Sequence, residues 1–123
     1  MDSILTSIKK LLGITESYEH FDPDIVMHIN SALMILTQLG VGPPEGFVIE
    51  DDSSLWTDFL ADTTNLEAVR SYVFMKVKLM FDPPTSGIVT EAYNRMVTEL
   101  EWRLNVNAES NNSWVKEESQ NGI

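Results

Sequence analysis

Helix breakers cut this chain into pieces of helix length, and that punctuation restricts its fold more than any other feature. The breaks are Gly13, the Asp22-Pro23 step, Gly40, the run Gly42-Pro43-Pro44 with Gly46, and Asp82-Pro83-Pro84. Proline lacks an N–H and clashes with the preceding turn, and glycine costs conformational entropy inside a helix, so helices start or stop at these points. Between the breaks, apolar residues recur with the 3.6-residue period of an α-helix rather than the alternation of a strand. The expectation is an all-α fold: a small bundle of about five helices, one Pro/Gly-rich loop and a disordered C-terminal tail.

Ile4, Leu5, Ile8, Leu11 and Leu12 share one face of a first short helix, with Asp2 suited to cap its start and Gly13 its end. Asp22-Pro23 reads as a cap followed by proline at the first helical position. The second helix then carries Ile25, Val26, Ile29, Ala32, Leu33, Leu36 and Leu39 as a stripe and closes at Gly40. In the loop that follows, Phe47-Val48-Ile49 is a short extended piece or half of a small hairpin, and Ser53 or Ser54 can cap a short helix bearing Leu55, Trp56, Phe59 and Leu60. Thr63 or Thr64 opens a helix over 65–81, ended by Asp82-Pro83-Pro84. The last helix spans about 87–104, with Val89, Tyr93, Met96, Val97, Leu100 and Leu104 aligned. Residues 1–104 therefore read as one helical domain. Residues 105–123, rich in Asn, Ser and Glu, read as a polar, disordered tail, in which Trp114-Val115 is either incidental or an apolar anchor that orders on docking to a partner.

The chemistry that catalysis needs is missing. The 123 residues include no Cys, which removes thiol nucleophiles, thiolate metal sites and disulfides together. No Gly-x-Ser-x-Gly or phosphate-binding Gly motif occurs, and neither His20 nor His28 sits in a triad context. Asp24 and His28 are four apart on one helix, but no third ligand is evident and Asp22 is better explained as a cap. The reading is a non-enzyme without metal or cofactor. No apolar run approaches the roughly 20 residues of a membrane span. The formal charge is −11, and Lys9 and Lys10 are the only bases before Arg70. Such a surface repels phosphate; it serves solubility, or it stands near nucleic acid without sticking to it.

The informative residues are apolar ones off the main stripes. Met27 and Met34, seven apart, lie opposite the stripe of the second helix, and Ile88 and Trp102 point into a polar face of the last. The helix 65–81 is apolar nearly all round, so it is central to the fold or buried by a partner. Within its apolar face Lys76 either snorkels to the surface or pairs with a carboxylate, including one from a neighbouring subunit. A large aromatic in a polar face is a good interface anchor, so the chain is expected to work by assembly.

Several stretches carry a resemblance: His28-Ile29-Asn30-Ser31-Ala32, Thr37-Gln38-Leu39-Gly40-Val41-Gly42-Pro43, Leu66-Glu67-Ala68-Val69-Arg70-Ser71-Tyr72 leading to Phe81-Asp82-Pro83-Pro84, and Glu99-Leu100-Glu101-Trp102-Arg103-Leu104. In this order and spacing the chain resembles the head–tail connector (adaptor) proteins of long-tailed bacteriophages and prophages. The resemblance implies a structural virion protein at the head–tail interface, assembled in the host cytoplasm. It implies a homo-oligomeric ring of about a dozen copies closed by head-to-tail contacts. A portal protein lies above the ring, a stopper or tail-completion protein lies below, and DNA passes through without specific binding. On that basis Met27, Met34, Ile88, Trp102 and Lys76 are candidates for subunit contacts. Glu45, Glu50, Asp51 and Asp52 are candidates for the channel lining, and Trp114 and Val115 for docking on the portal. Two other classes compete: a helical adaptor or regulatory module that binds one protein partner, and an acidic DNA-mimic inhibitor. Ring formation separates the first reading from both.

Overall fold

The computed structural model describes the backbone of residues 3–61 and 63–121, and the side chains of 3–61 and 64–109. Five α-helices follow one another among the described residues: α1 (Ile4–Leu12), α2 (Asp22–Gln38), α3 (Trp56–Phe59), α4 (Leu66–Phe81) and α5 (Gly87–Asn121). A 3₁₀ turn, Thr63–Asn65, leads into α4. The all-α bundle expected from the punctuation is what the chain forms. The hairpin considered for 47–49 is not formed. The β-type pairing present among the described residues is an isolated antiparallel bridge, Ser3 to Leu55.

The central helix is α4, which packs against α1, α2 and α5. Its Leu66, Val69, Tyr72, Val73, Met75 and Val77 are buried, and Phe74 and Phe81, on the other side of the wheel, are half-buried. Phe81 stacks edge-on with Phe21 at 5.3 Å, and Phe74 meets Tyr93 of α5 at 6.5 Å. A helix apolar all round is thus covered from several sides within one chain. On the α2 side the stripe Ile25, Ile29, Ala32, Leu33 and Leu36 is fully buried. On the α5 side Tyr72 Oη donates to Glu101 Oε2 at 2.7 Å. Burial, and then the adjacent carboxylate, push the Tyr72 phenol well above its ordinary value.

The helix ends differ from expectation in instructive ways. Ser3 caps α1 by accepting from Thr6 N at 3.2 Å; Asp2 lies outside the described residues. At the other end Gly13 takes the left-handed conformation (φ 83°) that lets its N–H reach back to Lys10 O. Asp22 does not cap α2. It lies inside the helix, and its Oδ1 pairs with Lys9 Nζ at 2.8 Å. Neither Ser53 nor Ser54 caps α3; Asp58 Oδ2 takes the Leu55 N–H at 2.8 Å instead. Leu11, placed on the α1 stripe by periodicity, is exposed.

Helix α5 departs most. Its backbone is helical past Leu104, beyond the span of about 87–104 read from periodicity. Polar ties hold this continuation: Asn105 Nδ2 donates to Leu39 O at 3.3 Å and Asn107 Nδ2 to Asn65 Oδ1 at 3.5 Å. Its apolar stripe is only half covered. Val97 and Leu104 are buried and Tyr93 and Leu100 half-buried, but Val89 and Met96 are exposed.

Candidate functional site

The loop between α2 and α3 is fastened in three places. Asn30, on α2, pairs with the backbone of Ile49 in both directions: Ile49 N donates to Asn30 Oδ1 at 2.8 Å and Asn30 Nδ2 donates to Ile49 O at 3.0 Å. The side-chain amide replaces a neighbouring strand, so an isolated extended segment keeps its polar groups paired. The second tie is the Ser3–Leu55 bridge, with Ile4 N donating to Ser54 O at 2.9 Å. The third is the indole of Trp56, fully buried, which donates to Ser7 Oγ at 2.7 Å; Ser7 Oγ in turn donates to Ile4 O at 3.1 Å. Gly42 makes the bend possible. Its φ is +83°, and a Cβ there would lie 2.5 Å from the Phe59 ring.

With Ile49 fixed, Phe47 packs on Phe59 at 5.6 Å and Val48 is turned outward. An open groove of about 740 Å³ results between α2 and this segment. Met27 and Met34 form one wall, Phe47 and Val48 the other, and Glu45 stands at the rim. Met27 and Met34 are 57% and 58% exposed, as their position opposite the α2 stripe predicts.

Ile88 and Trp102 are likewise exposed, at 81% and 67%. They stand on the side of α5 turned from α4, where Glu91, Asn94, Arg95, Thr98 and Glu99 surround Trp102. Arg103 is engaged by Glu99 at 2.6 Å, whereas Arg95 makes no ion pair among the described residues. The structure thus separates the four apolar candidates into two surfaces on different helices, each facing away from α4.

The acidic loop residues divide as well. Glu50, Asp51 and Asp52 line a cleft of about 480 Å³ with Glu16, Glu19 and Asp22, while Glu45 belongs to the groove. All four loop acids are exposed. Asp51 accepts from Ser53 Oγ at 2.6 Å and Ser53 N at 2.9 Å, and these bonds hold its carboxyl below the usual carboxylate value. Beneath the cleft Lys9 is 3% exposed; it pairs with Asp22 and donates to Glu16 O at 2.9 Å. Among the described residues no group of three or more His, Cys, Asp or Glu is placed to hold a metal ion. His28 sits against the Phe81 ring at 6.4 Å. No helix is long and apolar enough to cross a membrane among the described residues.

Lys76 is half-buried and joins no ion pair among the described residues. Trp114 and Val115 lie outside the residues whose side chains are described. Three participants escaped the sequence reading. Val48 sits in a loop, where no period marks a face. The Lys9–Asp22 pair spans two helices and leaves no local signal. Arg95 was detectable, because it falls seven residues from both Ile88 and Trp102.

A family model described as phage connector protein matches residues 4–111, in agreement with the resemblance carried by the α2, α4 and α5 motifs. No curated protein and no solved structure matches the chain.

Proposed function

As the chain belongs to the phage connector protein family, we propose that it is one subunit of an oligomeric ring joining the portal to the tail or its stopper, and that it forms part of the DNA channel. Membership itself makes it a structural phage protein of the head–tail connection, with a place in the virion. The observation that carries the finer reading is the pair of exposed apolar surfaces, Met27/Met34 on α2 and Ile88/Trp102 on α5. A ring needs two different faces on each subunit, since every copy contacts its neighbours head to tail.

The channel assignment rests on charge. Glu50, Asp51 and Asp52, joined across their cleft by Glu16 and Glu19, make a concentrated acidic patch. A wall of this sign lets a polyphosphate slide, where a basic one would bind it and release counterions. Lys76, Trp114 and Val115 keep their assignments as a subunit contact and portal anchors within this reading. Purified protein mixed with its cognate portal, followed by light scattering and electron microscopy, tests the ring. The expected result is a ring on the portal. Trp102→Ala is expected to abolish it while leaving thermal unfolding unchanged, because the side chain is largely solvated in the subunit. Absence of any portal interaction, with normal tailed particles forming without the protein, overturns the reading. A reconstruction with residues 50–52 on the outer rim overturns the channel assignment alone.

A further inference from the structure

Resting on the ring reading, the pairing of the two surfaces can be taken further. On α5, Ile88, Arg95 and Trp102 are seven residues apart, so they stand in one line at intervals of about 10.5 Å along the helix. The same interval separates Met27 and Met34 on α2. A line of residues at this spacing is a ridge of the kind that packs between the residues of a facing helix. The α5 line projects from its helix with nothing beside it but short polar residues and Glu91 and Glu99. The α2 surface is the converse, a groove walled on both sides, with methionine side chains that adapt to an inserted ring.

Charge agrees with shape. Arg95 sits in the middle of the ridge with no ion-pair partner among the described residues, and Glu45 stands at the rim of the groove, also unpaired among them. Both helices carry more acid than base, so the complementarity is local, Arg95 of the ridge against Glu45 of the groove rim. A contact that brings Arg95 to Glu45 is attractive, whereas one between like surfaces opposes two Arg95 or two Glu45 side chains.

We infer that the occupant of the α2 groove is α5 of a second copy of this chain, with Trp102 seated between Met34 and Val48 and Arg95 paired with Glu45. Each subunit then offers a groove to one neighbour and a ridge to the other.

The absence of native Cys makes the test clean. Gln38→Cys/Thr98→Cys protein, which keeps Met34 and Trp102 and places each thiol one turn from them, is expected on oxidation at high concentration to give a ladder of disulfide-linked oligomers on non-reducing gels. Either single variant alone is expected to remain largely uncrosslinked, and the two singles mixed are expected to stop at a dimer. In parallel, mass photometry follows self-association of the charge variants. Glu45→Lys and Arg95→Glu are each expected to weaken it about tenfold, and the double exchange to restore it. Efficient dimers from Gln38→Cys or Thr98→Cys alone would mean that like surfaces meet, and would overturn the pairing. If wild-type protein assembles while the double-cysteine protein gives no ladder, the pairing falls and the ring reading stands. If wild-type protein fails to assemble alone and on the portal, the ring reading falls and takes the pairing with it.

Discussion

Replacing Asn30 tests how the groove is held, because one side chain there satisfies both polar groups of an extended residue. In Asn30→Ala, the 2.8 Å and 3.0 Å bonds to Ile49 are lost together. Each contributes about 0.5–1.5 kcal/mol net, and a buried group left unpaired adds its own desolvation penalty of about 1–3 kcal/mol. Ile49 is 2% exposed, but the groove beside it is open, so water can reach part of the vacated site. The expected loss is about 2–4 kcal/mol, a large share of the roughly 5–15 kcal/mol that stabilises a small domain. Urea unfolding followed by tryptophan fluorescence would show it as a fall in midpoint of about 1–2 M with unchanged slope. Asn30→Asp separates the bonds from the loss of bulk. A protonated carboxyl can still accept from Ile49 N and donate to Ile49 O, whereas the carboxylate faces that carbonyl with like charge. Carbonyl repulsion and partial burial both raise the folded-state pKa above the unfolded value of about 3.9, outweighing the single N–H bond. The variant's stability relative to wild type is therefore fully present below that value and lost as pH rises through the folded pKa. Its midpoint should lie near wild type at pH 4 and approach the alanine variant at pH 7. An alanine variant within about 0.5 kcal/mol of wild type, or an aspartate variant whose deficit ignores pH, would refute the clamp.

Gly42→Ala combines a positive φ with a Cβ 2.5 Å from the Phe59 ring, so it should cost about 1–3 kcal/mol and perturb near-ultraviolet circular dichroism; a melting temperature unchanged within a degree would count against the close approach. Tyr72→Phe removes the bond to Glu101 at about 1 kcal/mol near neutrality. Because the folded-state phenol is raised, wild-type stability is intact below about pH 10 and declines above it, and the phenylalanine variant should lose that alkaline slope. Asp22→Ala strands the buried Lys9 ammonium and should cost about 1–3 kcal/mol, discounted for the exposure of Asp22. Lys9→Met keeps the aliphatic stem while Asp22 rehydrates, so it should cost less; equal losses in denaturant titrations would contradict a buried-cation account.

What could be read from the chain alone follows from the range of each interaction. Helix number and class rest on Pro, Gly and 3.6-residue periodicity, which are local, and they survive in the structure with small shifts at the ends. The Gly13 cap transferred but the Asp22 cap did not, because Asp22 is recruited by Lys9 across a helix–helix junction, and that competition is invisible within the first turn of α2. The first turn of α5 beyond Leu104 was not legible, because Asn105 and Asn107 meet Leu39 and Asn65 through polar contacts without apolar periodicity. The outward Met27, Met34, Ile88 and Trp102 were legible as residues off their stripes. The groove was not, since its second wall, Phe47 and Val48, comes from a loop positioned by Asn30.

Within the proposed ring, the two surfaces favour a directional contact. A symmetric dimer formed through α5 would lay ridge on ridge and bring two Arg95 side chains together with no acid between them except Glu91 and Glu99, the second already engaged by Arg103. One formed through α2 would set groove against groove, leaving the space between the methionine and valine walls unfilled and two Glu45 carboxylates opposed. Both arrangements forfeit close packing, whose loss removes dispersion contacts outright. A ridge set into a groove fills the cavity and pairs opposite charges, and it leaves each subunit with one free surface of each kind. Contacts of that sort propagate until the rotation between copies closes them into a ring, and otherwise grow as a filament. A small connector subunit that is stable alone and polymerises without limit would be a hazard in the cell. The modest, partly polar character of both surfaces suits a contact that holds only when neighbours are already aligned on a template such as the portal.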